Sequence, residues 1–172
     1  MTARNPPRGY TAAQILLHWV IAVLVVFQLI FGEDIVPAYR AVRRGTEALP
    51  SDILRADVHI YVGFTILVLA MARLAIRLML GAPPAPAGES AVQKWIAAAT
   101  HFILYATIFL MPVTGALAWY LGIGAIGKMH ELAKSVIIAA VVLHASGALW
   151  QHFVAKTDVL VRMLRPGAGR AT

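Results

Sequence analysis

Residues 129–154 read MHELAKSVIIAAVVLHASGALWQHFV, and this stretch decides the fold. A helix rises about 1.5 Å per residue, so about 20 mostly apolar residues cross the hydrocarbon core of a bilayer. The stretch is long enough, and it carries His130 and His144. Fourteen steps of about 100° bring the second imidazole within about 40° of the first, about 21 Å along the axis. Two ligand-type side chains therefore share one face, one above the other. His152, eight residues further on, lies about 80° round and is a poorer member of that stripe.

Three more apolar stretches precede it, at about residues 12–31, 53–80 and 95–121. In lipid only a helix satisfies its own backbone, so the spacing predicts an all-α, integral membrane four-helix bundle. The composition agrees, with 60% hydrophobic and only 13% charged residues and a mean hydropathy of +0.74. A soluble chain of 172 residues cannot enclose so much apolar volume and still show water a polar surface. The first stretch follows Arg4 and Arg8 as a secretion signal would, but it is too long and holds His18 and Gln28. It reads as a retained helix.

The connections are expected to be a polar loop at 32–52 with Ser51 as N-cap, a proline-rich turn at 81–90 and a glycine-rich hairpin at 122–128. A basic tail covers 156–172. Lys and Arg number nine on the side of the termini (Arg4, Arg8, Arg73, Arg77, Lys94, Lys156, Arg162, Arg165, Arg170) and six on the other. Those six are Arg40, Arg43, Arg44, Arg55, Lys128 and Lys134, accompanied by six of the eight acids. The positive-inside rule then expects both termini in the cytoplasm. The basic residues sit at the ends of apolar runs and form no nucleic-acid patch.

Cysteine is absent, which excludes disulfides, thiolate-held iron–sulfur clusters and a thiol nucleophile. Six histidines remain (His18, His59, His101, His130, His144 and His152), all within or at the edge of the apolar stretches. One intramembrane histidine is ordinarily an interhelical hydrogen bond; six are too many for that. Depth pairs His59 with His130 at one end and His18 with His144 at the other. His101 lies at the depth of His18 and is the rival to His144. Zinc usually takes more protein ligands or an open position beside carboxylates, and no acid lies at the depth of His18. A porphyrin needs axial imidazoles and an apolar slot. Gly63, Gly115 and the run Ala145-Ser146-Gly147-Ala148 provide small residues for such a slot, or equally for plain helix packing.

Several motifs occur in order: Leu17-His18-Trp19; His59 with Gly63 and then LAMARLAIRL; His101-x-x-x-Tyr105; Leu110-Met111-Pro112-Val113-Thr114-Gly115; Met129-His130-Glu131; Leu143-His144; and the closing Asp158-x-Leu160-x-x-Met163-Leu164-x-Pro166. Together they resemble the bacterial cytochrome b561 family over nearly the whole chain, taken as one domain over residues 1–172. The resemblance implies a multi-pass protein of the bacterial inner membrane with two haems b. His18 and His144 would bind the inner haem iron, and His59 and His130 the outer one. His101 would then touch a haem edge or a quinone, and Arg73 and Arg77 would meet haem propionates, with Gly63 a further contact. His152 is the candidate for a quinone site.

Two functional types resemble this chain. One is an oxidoreductase that takes electrons from superoxide and reduces ubiquinone. The other is a cytochrome subunit that relays electrons between a periplasmic dehydrogenase and the quinone pool, with no substrate site of its own. A proton-relaying transporter is a third class, against which the paired spacing argues.

Overall fold

The computed structural model describes residues 7, 9–86 and 88–168. Its elements are all helical: α1 (Ala12–Phe31), a 3-10 turn (Gly32–Ile35), α2 (Val36–Arg44), α3 (Pro50–Leu80), α4 (Ala91–Tyr120), α5 (Gly124–Phe153) and α6 (Val159–Arg162). Four are long and apolar enough to cross a membrane: α1, which runs on through the turn into α2, then α3, α4 and α5. Arg4, Arg8 and Arg170, counted above for orientation, lie outside the described residues.

Local chemistry sets the helix starts. Thr11 and Gln14 form a capping box on α1, each side chain accepting from the other's backbone N–H. Ser90 and Gln93 repeat it on α4. Helix α3 starts at Pro50 with Leu49 as N-cap, so Ser51 lies in the first turn and is not the cap. Proline fits there because the first helical N–H has no partner in any case. Helices α4 and α5 likewise begin before the apolar runs at 95 and 129, since the runs mark the hydrocarbon and the helices continue into the polar interface.

Residues 32–52 are not a plain loop. They hold the 3-10 turn and α2, which ends at Gly45 with φ 67°, a left-handed cap that glycine adopts without steric cost. One side of α2 is docked: Ala38 is buried, and Tyr39 stacks on Trp119 with ring centres 6.2 Å apart. Arg43 donates to the Gly122 carbonyl. A Cβ on Gly127 would stand 2.9 Å from the Tyr39 hydroxyl, so a small residue there lets α2 close over the end of α5. Lys134 and Glu33 add an ion pair at 2.5 Å.

Helix α1 packs on α3, α3 on α4 and α4 on α5, while α1 and α5 approach less closely. The buried core is Ile21 and Val25 of α1, Ile66 and Ala70 of α3 and Ile137 of α5, with Ile108 and Phe109 of α4 packed against it. On every helix these positions fall between the histidine depths, so the core is an apolar layer across mid-bundle.

The tail folds back on the opposite end from α2. Arg162, 8% exposed, pairs with Asp158 at 2.8 Å and donates to the Pro84 carbonyl at 2.9 Å. Trp19 Nε1 donates to the Met163 carbonyl at 2.7 Å, and the Gly167 N–H to the Tyr10 carbonyl at 3.0 Å. Gln14 Nε2 reaches the Gly81 carbonyl at 3.0 Å. Arg162→Ala removes the donor to the Pro84 carbonyl and the mostly buried ion pair with Asp158, which costs about 1–3 kcal/mol. The expected result is a lower thermal midpoint in detergent, with Arg162→Lys intermediate because it keeps the charge without the planar fork.

Candidate functional site

Four of the six histidines face each other as two pairs. His59 of α3 and His130 of α5 have ring centres 6.2 Å apart with planes at 67°. His18 of α1 and His144 of α5 repeat this at 6.1 Å and 67°. An imidazole nitrogen sits about 1.1 Å from its ring centre and binds a transition metal at about 2 Å. Two imidazoles on opposite sides of one ion therefore have centres about 6 Å apart. Both pairs match that span. His101 meets His144 at 5.1 Å and 80°, which is too close for a metal between them.

Neighbouring groups orient the rings. Thr114 donates its hydroxyl to the Leu110 and Met111 carbonyls, at 2.8 and 3.1 Å. Its oxygen, 3.2 Å from His130 Nδ1, is thereby left to accept the Nδ1–H. That contact assigns Nε2 as the free nitrogen, the usual outer-shell arrangement of a metal-binding histidine. His59 Nδ1 is buried with no hydrogen-bond partner among the described residues, and the His59 carbonyl accepts from Gln28 Nε2 at 2.7 Å. His101 Nδ1 lies 2.6 Å from the Ala97 carbonyl and donates to it. Its ring stands at the exposed edge of α4.

Small residues stand next to the paired rings. A Cβ on Gly115 would come to 3.1 Å from His130 Cε1, and one on Gly32 to 3.4 Å from His59 Cε1. Gly115 was anticipated from sequence; Gly32 was not. Gly63 lies against Gln28 Nε2, at 3.6 Å from a Cβ placed there, and Gly147 faces open space. Arg73 donates to the Tyr105 hydroxyl at 2.9 Å, its guanidinium 5.6 Å from that ring centre. It interacts electrostatically with His18, His101 and His144, and Arg77 does so with Arg73 and His101. The two arginines thus belong to the His18–His144 end. His152 packs its ring on Phe153 at 4.8 Å, and its Nδ1 is buried without a partner among the described residues. Asp158, on the tail beyond it, pairs with Arg162.

Among the described residues no three His, Cys, Asp or Glu side chains converge on a point where an ion could sit. Each pair offers two imidazoles, too few protein ligands for a bare metal ion, and an iron porphyrin, which brings nitrogens of its own, would fit that donor set. The wider separation of α1 and α5 and the glycines beside the rings fit a flat macrocycle. Gln28, Thr114 and Tyr105 were not singled out as site residues from sequence. Each is a polar residue inside an apolar run, which was the available signal.

Comparison with known proteins agrees. The family model described as prokaryotic cytochrome b561 matches residues 9–166. The chain is 39% identical over 158 residues to a cytochrome b562 of Cereibacter sphaeroides, covering 92% of this chain and 96% of the relative. It is 25% identical over 179 residues to a probable superoxide oxidase, CybB, of Yersinia pestis (91% and 96% covered). It is 24% identical over 179 residues to cytochrome b561 homolog 1 of Escherichia coli (90% and 96%). The chain belongs to the prokaryotic cytochrome b561 family, and is a membrane cytochrome whose family cofactor is b-type haem.

Proposed function

We propose that this chain holds two haems b, one between His59 and His130 and one between His18 and His144, and carries electrons between the periplasmic side of the bacterial inner membrane and membrane quinone. The observation that supports it most is the repetition of one imidazole pair, with the same span and angle, at two depths of the same helix. When bound between these histidines, such haems would supply one-electron transfer. The positive-inside count puts the α2 end outside and the tail end inside.

The chain's own residues carry the rest. Thr114 holds the His130 ring in the tautomer that leaves Nε2 free. The core layer keeps water out between the two depths. Arg73 and Arg77 place positive charge where haem carboxylates at the inner end would need it. Among the outer cations Arg43 and Lys134 are tied to Gly122 and Glu33, while Arg44, Arg55 and Lys128 are exposed. Exposed cations steer small anions such as superoxide. Superoxide as donor is supported by the name of the Yersinia relative. Two superoxide anions, one quinone and two protons would give two molecules of dioxygen and one quinol. The second reading is a relay subunit that receives electrons from a docked periplasmic dehydrogenase. It is favoured by the 39% identical relative, whose name is that of a cytochrome and of no enzyme. Turnover of superoxide and quinone by the purified chain alone separates the two.

A reduced-minus-oxidised spectrum with pyridine-haemochrome quantitation is expected to give two haems b per chain. His59→Ala and His144→Ala should each lose one, and full haem content in both would sink the ligand assignment. His101→Ala is expected to keep both haems, because the ring that faces His18 at the 6.1 Å span is that of His144. His152→Ala should slow quinone reduction by about 100-fold, the low end of what a positioned proton donor typically contributes, and leave both haem spectra intact. Unchanged turnover would remove His152 from proton delivery.

A further inference from the structure

Two opposite charges line one cleft at the α2 end of the bundle without pairing with each other. Phe27 and Phe31 of α1 stand one helical turn apart, with ring centres 4.9 Å from each other. Leu54 and Val58 of α3 are spaced the same way. These four line a cleft of about 240 Å³, together with Asp34 of the 3-10 turn and Arg55 of α3. No residue of α4 or α5 lines it, so it lies outside the gap between the paired rings. We propose that this cleft binds the headgroup of a zwitterionic aminophospholipid, a phosphate joined to a primary ammonium. None of the six residues is a candidate haem ligand, so the site stands independently of the reading above.

Charge is the selective feature. Asp34 and Arg55 are both exposed, and neither side chain has an ion-pair or hydrogen-bond partner among the described residues. The neighbouring Glu33 is taken by Lys134 at 2.5 Å, which leaves Asp34 as the carboxylate of this cleft. A guanidinium matches a phosphate with paired N–H donors, and a carboxylate accepts from an ammonium; both are charge-assisted hydrogen bonds. Phosphatidylethanolamine carries the two groups on one short linker. Phosphatidylglycerol would offer its phosphate to Arg55 and bring no cation for Asp34. Phosphatidylcholine has the positive charge but no N–H to donate. A small anion would meet Arg55 and be repelled by Asp34.

Depth places the polar and apolar walls at the levels such a lipid needs. Arg55 lies four residues before His59 on α3, about 6 Å nearer the end of the bundle. Asp34 lies three residues past Phe31, the last residue of α1. Phe27 and Val58 are one turn deeper than Phe31 and Leu54. Phe31, Leu54 and Val58 are 48, 64 and 41% exposed, so the apolar part of the cleft opens sideways to lipid. It takes the first carbons of an acyl chain while the charged rim meets the headgroup. The volume is below that of pockets that enclose a whole drug-sized ligand, which suits a headgroup whose chains stay in the bilayer.

The test is native mass spectrometry of the chain purified with its haem. It is titrated in detergent with dioleoyl phosphatidylethanolamine, phosphatidylcholine or phosphatidylglycerol, so that only the headgroup varies. The first lipid is expected to bind about tenfold more tightly when it is phosphatidylethanolamine than when it is either of the others, equivalent to about 1.4 kcal/mol. Asp34→Asn should abolish that preference and leave phosphatidylcholine binding unchanged. Glu33→Gln, which removes the neighbouring charge outside the cleft, should keep it. Leu54→Trp, which fills the cleft from an exposed position, should remove the tight site, with the thermal midpoint of each variant checking that it is folded. Equal affinity for the three lipids overturns the proposal. So does a preference that survives Asp34→Asn, which puts the lipid elsewhere on the surface. A preference for phosphatidylglycerol also overturns it and makes Arg55 a plain anchor for anionic headgroups.

Discussion

A polar side chain placed in hydrocarbon must find its partner inside the bundle, because no water is there to serve it. That requirement organises this molecule. The paired imidazoles face each other across the bundle, Gln28 reaches across to the backbone of His59, and Arg73 finds Tyr105 on the neighbouring helix. Each such group fixes the rotation of the helix that carries it. Helix α5 is fixed twice, by His130 and by His144, and so acts as the reference against which α1 and α3 are set.

Between the two pairs the chemistry changes completely. Ile21, Val25, Ile66, Ala70 and Ile137 meet in an apolar cluster. Such a layer packs by shape alone and holds the two polar levels at a constant separation. That cluster holds no polar group to relay a proton, which suits a membrane cytochrome better than a proton-conducting transporter.

The membrane helices were legible because lipid imposes a long apolar run on any segment that crosses it, and the histidine register because 14 residues nearly complete whole turns. The depth argument pairs the same four rings that the structure brings face to face. It could not rank His101 against His144, since depth carries no information on distance across the bundle; in the structure it is the His144 ring that faces His18, at 6.1 Å. Helix α2 was missed because Val36–Arg44 carries three arginines in nine residues and resembles a loop in composition. Its amphipathic register only has meaning once Trp119 and Gly127 are in place to receive Tyr39. The clasp of Arg162 on Pro84 was equally invisible, joining residues 78 apart in the chain. Thr114 belonged to a quoted motif, but its use as the acceptor for His130 depends on the fold.

The length of the helices has a further consequence. At about 1.5 Å per residue, the 31 residues of α3 extend roughly 46 Å, against about 30 Å of hydrocarbon. Some 15 Å must therefore emerge, shared between the two faces or taken up by tilt. If shared evenly, His59, nine residues into α3, lies only about 5 Å below the headgroup boundary. The His59–His130 pair is then shielded from bulk water yet shallow, close to the boundary where the overhanging turns leave the hydrocarbon.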